Sequence, residues 1–367
     1  MARIRHMYPG ANTCYGFYSF YDHIVPHDAH NKIVIKGGPG VGKSTFMKMI
    51  GKDLSEAGID LEYHWCSSDN NSLDGLVAGD RHLCLLDGTA PHVVDPRYPG
   101  AVDWIINMGD YWDAEKIACN KNNVIRLTKQ IGLHFERAYN RLKEAHSTWW
   151  ELSSYYREAM DTTAVNRNIL ALADDFLQHA PKSGQAARHL FAAALTPMGI
   201  VNKVDSLLED KWAIFAVKGR PGAGVKGLFK HIEDISGLNG IYTEIYHCPF
   251  DPTNIDLIIL PENKVAMLDI SGHIADYEIN LPTRKYKRML DFDQFLDSSA
   301  INPYEEKLTA TKDRFQNGLQ EAIAFIQTAK KLHDELETNY VPAMDFARIE
   351  DFRKELVDKL LEELKEP

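Results

Sequence analysis

The sequence predicts an α/β protein of two tandem three-layer αβα domains, each with an appended long helical hairpin. Three observations predict it: a glycine-rich turn between a strand-like and a helix-like run, a match of the chain with itself at a shift of about 182 residues, and apolar stripes at helical spacing late in each half. A length of 367 residues exceeds what one core usually serves, so two domains are expected. Hydrophobic residues make up 44% and charged residues 25%, the composition of an ordinary globular chain, which excludes disordered and collagen-like classes.

The strongest feature is KIVIKGGPGVGKSTFMKMIGKDL, in which the strand-like run Lys32 to Lys36 feeds Gly37-x-x-x-x-Gly42-Lys43-Ser44 and then a helical pattern from Thr45 onward. This is a Walker A loop in its required strand–loop–helix context, and it marks P-loop NTPase-type domains. Glycines allow backbone N–H groups to turn onto phosphates, and a following helix N-terminus adds partial positive charge. Gly38, Pro39, Gly40, Val41, Gly42, Lys43, Ser44 and Thr45 are the expected nucleotide cradle, with Lys43 on the β and γ phosphates and Ser44 on Mg²⁺. A P-loop also needs a carboxylate at the end of a neighbouring strand, and Leu83-Cys84-Leu85-Leu86-Asp87 ends in one, so Ser44 and Asp87 are the expected metal residues. The polar stretch Tyr63 to Gly75 reads as a loop facing the nucleotide, where Asp69 or Asp74 is placed to position a water or an acceptor hydroxyl and His92 to sense the γ phosphate. The competing reading of Asp69 and Asp74 is that they cap the following helix.

A shift of 182 residues puts Gly37 on Gly219, Pro39 on Pro221, Gly42 on Gly224, Cys66 on Cys248, Asp69 on Asp251, Asp74 on Asp256 and Asp87 on Asp269. With one-residue gaps Leu152, Tyr156, Met160 and Asp161 meet Leu336, Tyr340, Met344 and Asp345 at a shift of 184. The duplication spans the chain and predicts repeat 1 over 1–183 (core 1–112, hairpin 113–180) and repeat 2 over 184–367 (core 184–300, hairpin 301–367). The stripes Leu127, Ile131, Ala138, Leu142, Ala145, Trp149 and Leu152, then Phe315, Leu319, Ala322, Ile326, Ala329 and Leu336, are helical seams with a packing or partner-binding role.

The second loop, GRPGAGVKGLFK, puts Val225 at the Lys43 position, Lys226 at Ser44 and Gly227 at Thr45. One helical step is about 100°, so Lys226 points away from where Lys43 reaches, and a degenerate site is expected. Two decoys are set aside: Gly222-x-Gly224-x-x-Gly227 matches a dinucleotide pattern but aligns with the Walker A loop, and Asn202-Lys203-Val204-Asp205 resembles a guanine-reading motif without a matching partner in repeat 1.

A net charge of −11 opposes attraction to a polyphosphate backbone, so nucleic acid is disfavoured. Five cysteines with no paired spacing predict reduced, mostly buried thiols, and His64, Cys66, His247 and Cys248 read as buried strand-end residues. No segment approaches 18 uncharged apolar residues and no signal peptide is apparent, so a cytoplasmic protein without membrane association is expected.

The stretches GGPGVGKSTFMKMIG, YHWCSSDNNSLDG and LLDGTAPHVVDPRYPGAVD, with TPMGIVNKVDSLLE and GRPGAGVKG, resemble a bacterial family of tandem two-P-loop ATP-binding proteins. The resemblance covers essentially the whole chain and implies ATP binding and ATPase-type hydrolysis. In that family the second loop also carries GKS or GKST, so Val225-Lys226-Gly227 departs from it. The expected function is a Mg²⁺-dependent ATPase with one intact site; the alternatives are a small-molecule or nucleotide kinase and a non-hydrolysing nucleotide sensor or scaffold whose hairpins bind a protein partner.

Overall fold

A computed structural model describes residues 2–27, 29–89, 93–281 and 284–364, the side chains of 81 and 82 excepted. In chain order its elements are β1 (Ile4–Met7), β2 (Gly10–Thr13), β3 (Gly16–Ser19), β4 (Asn31–Lys36), α1 (Lys43–Glu56), β5 (Leu61–Trp65), β6 (Leu73–Ala78), α2 (Gly79–His82), β7 (Leu83–Asp87), β8 (Asp103–Asn107), α3 (Ala114–Cys119), α4 (Lys121–Glu158) and α5 (Thr162–Leu177). There follow β9 (Arg188–Phe191), β10 (Ala193–Thr196), β11 (Gly199–Asn202), α6 (Val204–Leu207), β12 (Ala213–Lys218), α7 (Val225–Asn239), β13 (Glu244–His247), β14 (Ile255–Leu260), β15 (Val265–Asp269), β16 (Tyr286–Asp291), α8 (Ser298–Ile301), α9 (Glu305–Glu337) and α10 (Phe346–Glu363).

The chain is α/β, with two six-stranded mixed sheets of the same order. The first runs β1-β5-β6-β7-β4-β8 and the second β9-β13-β14-β15-β12-β16. In each, the third strand alone is antiparallel: β6 pairs antiparallel with β5 and β7, as β14 does with β13 and β15. The shared order places Asp87 and Asp269 at the ends of the strands that pair parallel with β4 and β12. The small hairpins β2–β3 and β10–β11 repeat the same turn: Thr13 and Thr196 each donate an Oγ1 hydrogen bond of 2.8 Å to the carbonyl of the glycine three residues on.

One expectation is corrected here. The stretch Tyr63 to Gly75 is not one loop: Leu73, Asp74 and Gly75 already belong to β6. The sheet is mixed, with β6 antiparallel to both β5 and β7, pairings that need no crossover helix. Helix α1 and helix α10 cover one face of the first sheet, while the turn from Tyr21 to His27 lies against Lys32 and Leu86.

The compact units do not follow the repeat boundary near 183 either. One consists of residues 1–10, 19–137 and 324–367, the other of 11–18 and 138–323. In the first unit the α10 residues Ile349, Leu356, Val357 and Leu360 pack with Phe46, Met47, Ile50 and Leu54 of α1. In the second, Val165, Ile169, Leu172 and Phe176 of α5 pack with Leu228, Phe229 and Ile232 of α7. Each core is therefore capped by the helix of the other repeat. Helix α4 has 38 residues and runs from the first unit into the second, whereas α5 has 16 and lies wholly in the second. Among the described residues no helix is long and apolar enough to cross a membrane.

Candidate functional site

The buried run Asn31 to Ile35 makes β4 an interior strand between β7 and β8, and the chain leaves it through Gly37 to Gly42 into the 14-residue α1. Gly40 (φ 67°) and Gly42 (φ 90°) take left-handed conformations that a side chain would resist, which turns the loop back over the helix N-terminus. Val41 is buried and anchors the loop, Gly38, Pro39 and Gly40 are half-buried, and Thr45 is exposed on the first helical turn.

Lys43 curls back over this loop. Its ammonium donates to the carbonyls of Gly38 (2.8 Å) and Gly37 (3.2 Å) and lies 3.5 Å from Asp87 Oδ2, with the residue 9% exposed. Asp87 Oδ1 accepts from the Thr89 backbone N–H at 2.9 Å, and the Thr89 hydroxyl donates to Gly37 O at 2.9 Å. Ser44 Oγ accepts from Leu73 N–H at 3.0 Å, which ties the helix start to β6. Lys43, Ser44 and Asp87 are thus brought together, and Thr89, which no motif marked, completes the turn.

The other candidates have partners of their own. Asp69 sits in the turn before β6, where it accepts from Asn71 N–H (2.9 Å) and the Ser72 hydroxyl (3.0 Å) and pairs with Lys330 of α9 at 3.2 Å. Burial pushes its carboxyl up, but these donors and the Lys330 charge together hold it below the usual carboxylate range. Asp74 is 4% exposed in β6, next to Tyr21 and Cys66, whose hydroxyl and thiol are pushed up by burial and then by its negative charge. His92 lies outside the described residues.

The roof of the loop comes from the other repeat. A Cβ on Gly38 would stand 2.8 Å from Tyr340 Cε1, one on Gly40 2.9 Å from Glu337 Cβ, and one on Gly42 3.2 Å from Phe346 Cε1. The glycines of the phosphate-loop pattern are therefore also demanded by packing. Sequence spacing missed Lys330, Glu337, Tyr340 and Phe346, since nothing in it says on which core a helical arm docks.

The second loop has the same frame with different chemistry. Gly222 (φ 86°) and Gly224 (φ 119°) shape it, and the position of Lys43 is Val225, the first residue of α7. Lys226 turns to the Thr253 hydroxyl (3.2 Å) and the Trp150 ring, away from the loop carbonyls. His273 instead contacts Gly219 O at 2.8 Å. A cavity of about 400 Å³ opens here, lined among others by Trp149, Trp150, Arg157, Lys226, Asp256 and Asp269. Asp256 is buried beside Asp269, which pushes its carboxyl up to about 8 although Tyr277 donates to it at 2.9 Å. Asn202, of the guanine-type pattern, spends its amide on Asp276 O at 2.7 Å.

No family model, curated protein or solved structure matches this chain.

Proposed function

We propose that the first loop binds Mg·ATP and that the protein is an ATPase with a single intact nucleotide site, the second loop being degenerate. The observation that carries this reading is the position of Lys43: its ammonium is held by two loop carbonyls beside Asp87, at the N-terminus of α1, over two left-handed glycines. An ammonium held by loop carbonyls and by Asp87 at 3.5 Å is placed to move onto phosphate oxygens, which are stronger acceptors than the carbonyls it would leave.

The donor set fits the metal as well. Ser44 Oγ would ligate Mg²⁺ and Asp87 would hold its water shell, both hard oxygen donors suited to that ion. When bound, Mg²⁺ supplies positive charge at the phosphates. Lys43 then orients the terminal phosphate and neutralises charge that grows as its bond to the leaving oxygen stretches. The loop N–H groups and the α1 dipole bind the remaining oxygens. Preference for adenine rests on the family resemblance and on Asn202 being engaged elsewhere.

A second reading, a non-hydrolysing nucleotide sensor, is favoured by Asp69: its lone pairs are occupied by Asn71, Ser72 and Lys330, which leaves it a poor base. Mg²⁺-dependent binding and turnover of ATP and GTP by the full chain, beside Lys43→Ala and Asp269→Asn, tests both. One ATP per chain, hydrolysed and lost with Lys43→Ala, supports the ATPase. Binding without phosphate release supports the sensor. Two bound nucleotides, or turnover that survives Lys43→Ala, would overturn the single-site reading.

A further inference from the structure

In the second unit three metal-binding side chains from distant parts of the sequence converge. Cys14 Sγ, a His146 ring nitrogen and an Asp251 carboxylate oxygen all lie within 4.8 Å of one another. Bonds of about 2.0–2.3 Å in a tetrahedral shell put ligand atoms about 3–4 Å apart, so closure needs shifts of an ångström or so. Each group is held in place. Cys14 is buried at the tip of the β2–β3 hairpin, with its N–H bonded to Phe250 O at 2.9 Å. The His146 ring packs edge-on against Tyr15 and Phe250. Asp251 accepts from Thr253 N–H (3.0 Å), the Thr253 hydroxyl (2.7 Å) and Asn254 Nδ2 (3.1 Å), the kind of outer support that orients a ligating carboxylate.

Two further observations point to a cation there. First, His146 Nε2 lies 3.0 Å from the Trp150 Nε1–H donor and 3.3 Å from Asp251 Oδ2, an acceptor. As a bare nitrogen it faces the carboxylate with a lone pair, and as N–H it faces a donor, so one contact is unfavourable in either tautomer. Second, the repeat supplies a comparison. At the shifts that align the halves, Asp251 corresponds to Asp69 and His146 to Lys330. The first unit fixes a positive charge on that aspartate, the Lys330 ammonium at 3.2 Å, and the second replaces the lysine with an imidazole beside a thiol.

We infer that Cys14, His146 and Asp251 form a binding site for a borderline-soft divalent ion of the Zn²⁺ class, held by thiolate, imidazole and carboxylate with a fourth position open. Asp251 and Trp150 both line the cavity at the second loop, so that position faces a space able to admit an exchangeable ligand. Binding releases the Cys14 thiol proton to solvent and exchanges the Trp150 contact for the metal on Nε2. Trp150 is 46% exposed and can swing away at little cost. The site does not depend on nucleotide binding at the first loop.

The test is titration of the chelator-treated full-length chain with Co²⁺, a spectroscopic substitute for Zn²⁺. The site predicts one Co²⁺ per chain, a thiolate-to-cobalt charge-transfer band in the near ultraviolet, visible bands of four-coordinate intensity, and displacement of all of them by Zn²⁺. Cys14→Ser should abolish the charge-transfer band. His146→Gln should weaken affinity by at least about tenfold. Cys119→Ser, at the exposed thiol, should change nothing. Absence of the band in folded wild type, or a band that follows Cys119 and not Cys14, overturns the site. If Cys14→Ser does not fold, the half-buried His146→Gln decides, and unchanged affinity in that variant refutes the assignment.

Discussion

The ammonium of Lys330 lies 3.2 Å from Asp69 Oδ2, joining α9 of the second repeat to the turn before β6 of the first. The pair is partly buried, the side chains being 23% and 17% exposed. Lys330→Ala should cost about 1 kcal/mol at neutral pH. Asp69 is held below its ordinary range, so its contribution is present above about pH 4 and is lost as pH falls through the folded value. Urea unfolding at pH 7 and at pH 3 should show the gap between wild type and variant closing in acid. A gap equal at both pH values would mean that Lys330 acts through its methylene stem.

Docking of the arm on the loop predicts a graded glycine series. Gly58 has φ 86° with open space around it, so Gly58→Ala should cost only the left-handed strain of about 1–2 kcal/mol. Gly40→Ala adds a Cβ at 2.9 Å from Glu337 Cβ, and Gly222→Ala one at 2.5 Å from the Ser153 carbonyl. Each should lose at least about 1 kcal/mol more than the control. Thermal unfolding that ranks all three alike would contradict the packing.

The capping helix should stabilise the core of the opposite repeat. Leu360 is fully buried in α10 among the residues of α1, so Leu360→Ala should cost about 2–5 kcal/mol. Hydrogen exchange should lose protection across β4 and α1, residues 31–56, and leave β12 and α7, residues 213–239, unchanged. Loss of protection in the second core instead would refute the exchange.

Asp256 gives a prediction of opposite sign to Asp69. Its carboxyl is pushed up to about 8, so the folded chain holds a proton that the unfolded chain releases near pH 4. Stability should therefore fall as pH rises between about 4 and 8, by up to about 1.4 kcal/mol per unit, and level off above. Asp256→Asn retains an acceptor for Tyr277 and should flatten that slope. Unfolding at pH 5 and pH 8 in both proteins reads it, and parallel slopes would show that Asp256 is already ionised.

The glycine-rich loop from Gly37 to Gly42, the strand before it and the helix after it were legible because their signals are local: glycine spacing, a β-branched run and a helical pattern. The change at Val225-Lys226-Gly227 was legible too, and Lys226 does turn away from its loop. The mixed sheet was not, since Gly75 and the polar residues before Leu73 mask the start of an antiparallel strand. The Lys330–Asp69 pair and the cluster of Cys14, His146 and Asp251 were not legible either. Both join residues far apart in the chain, and residue spacing along one segment does not encode which arm packs on which core.

The crossed assignment of arms and cores bears on ancestry. Within each unit the apolar face of the sheet and first helix is covered by the last helix of the other repeat. A single repeat packed in this way would trade its last helix with a second copy, as a twofold dimer whose folding depends on concentration. The tandem chain tethers that encounter at high effective concentration. It also leaves each loop free to carry its own sequence. Val225 in place of Lys43, and His146 in place of Lys330, are divergences that an obligate homodimer cannot make one side at a time.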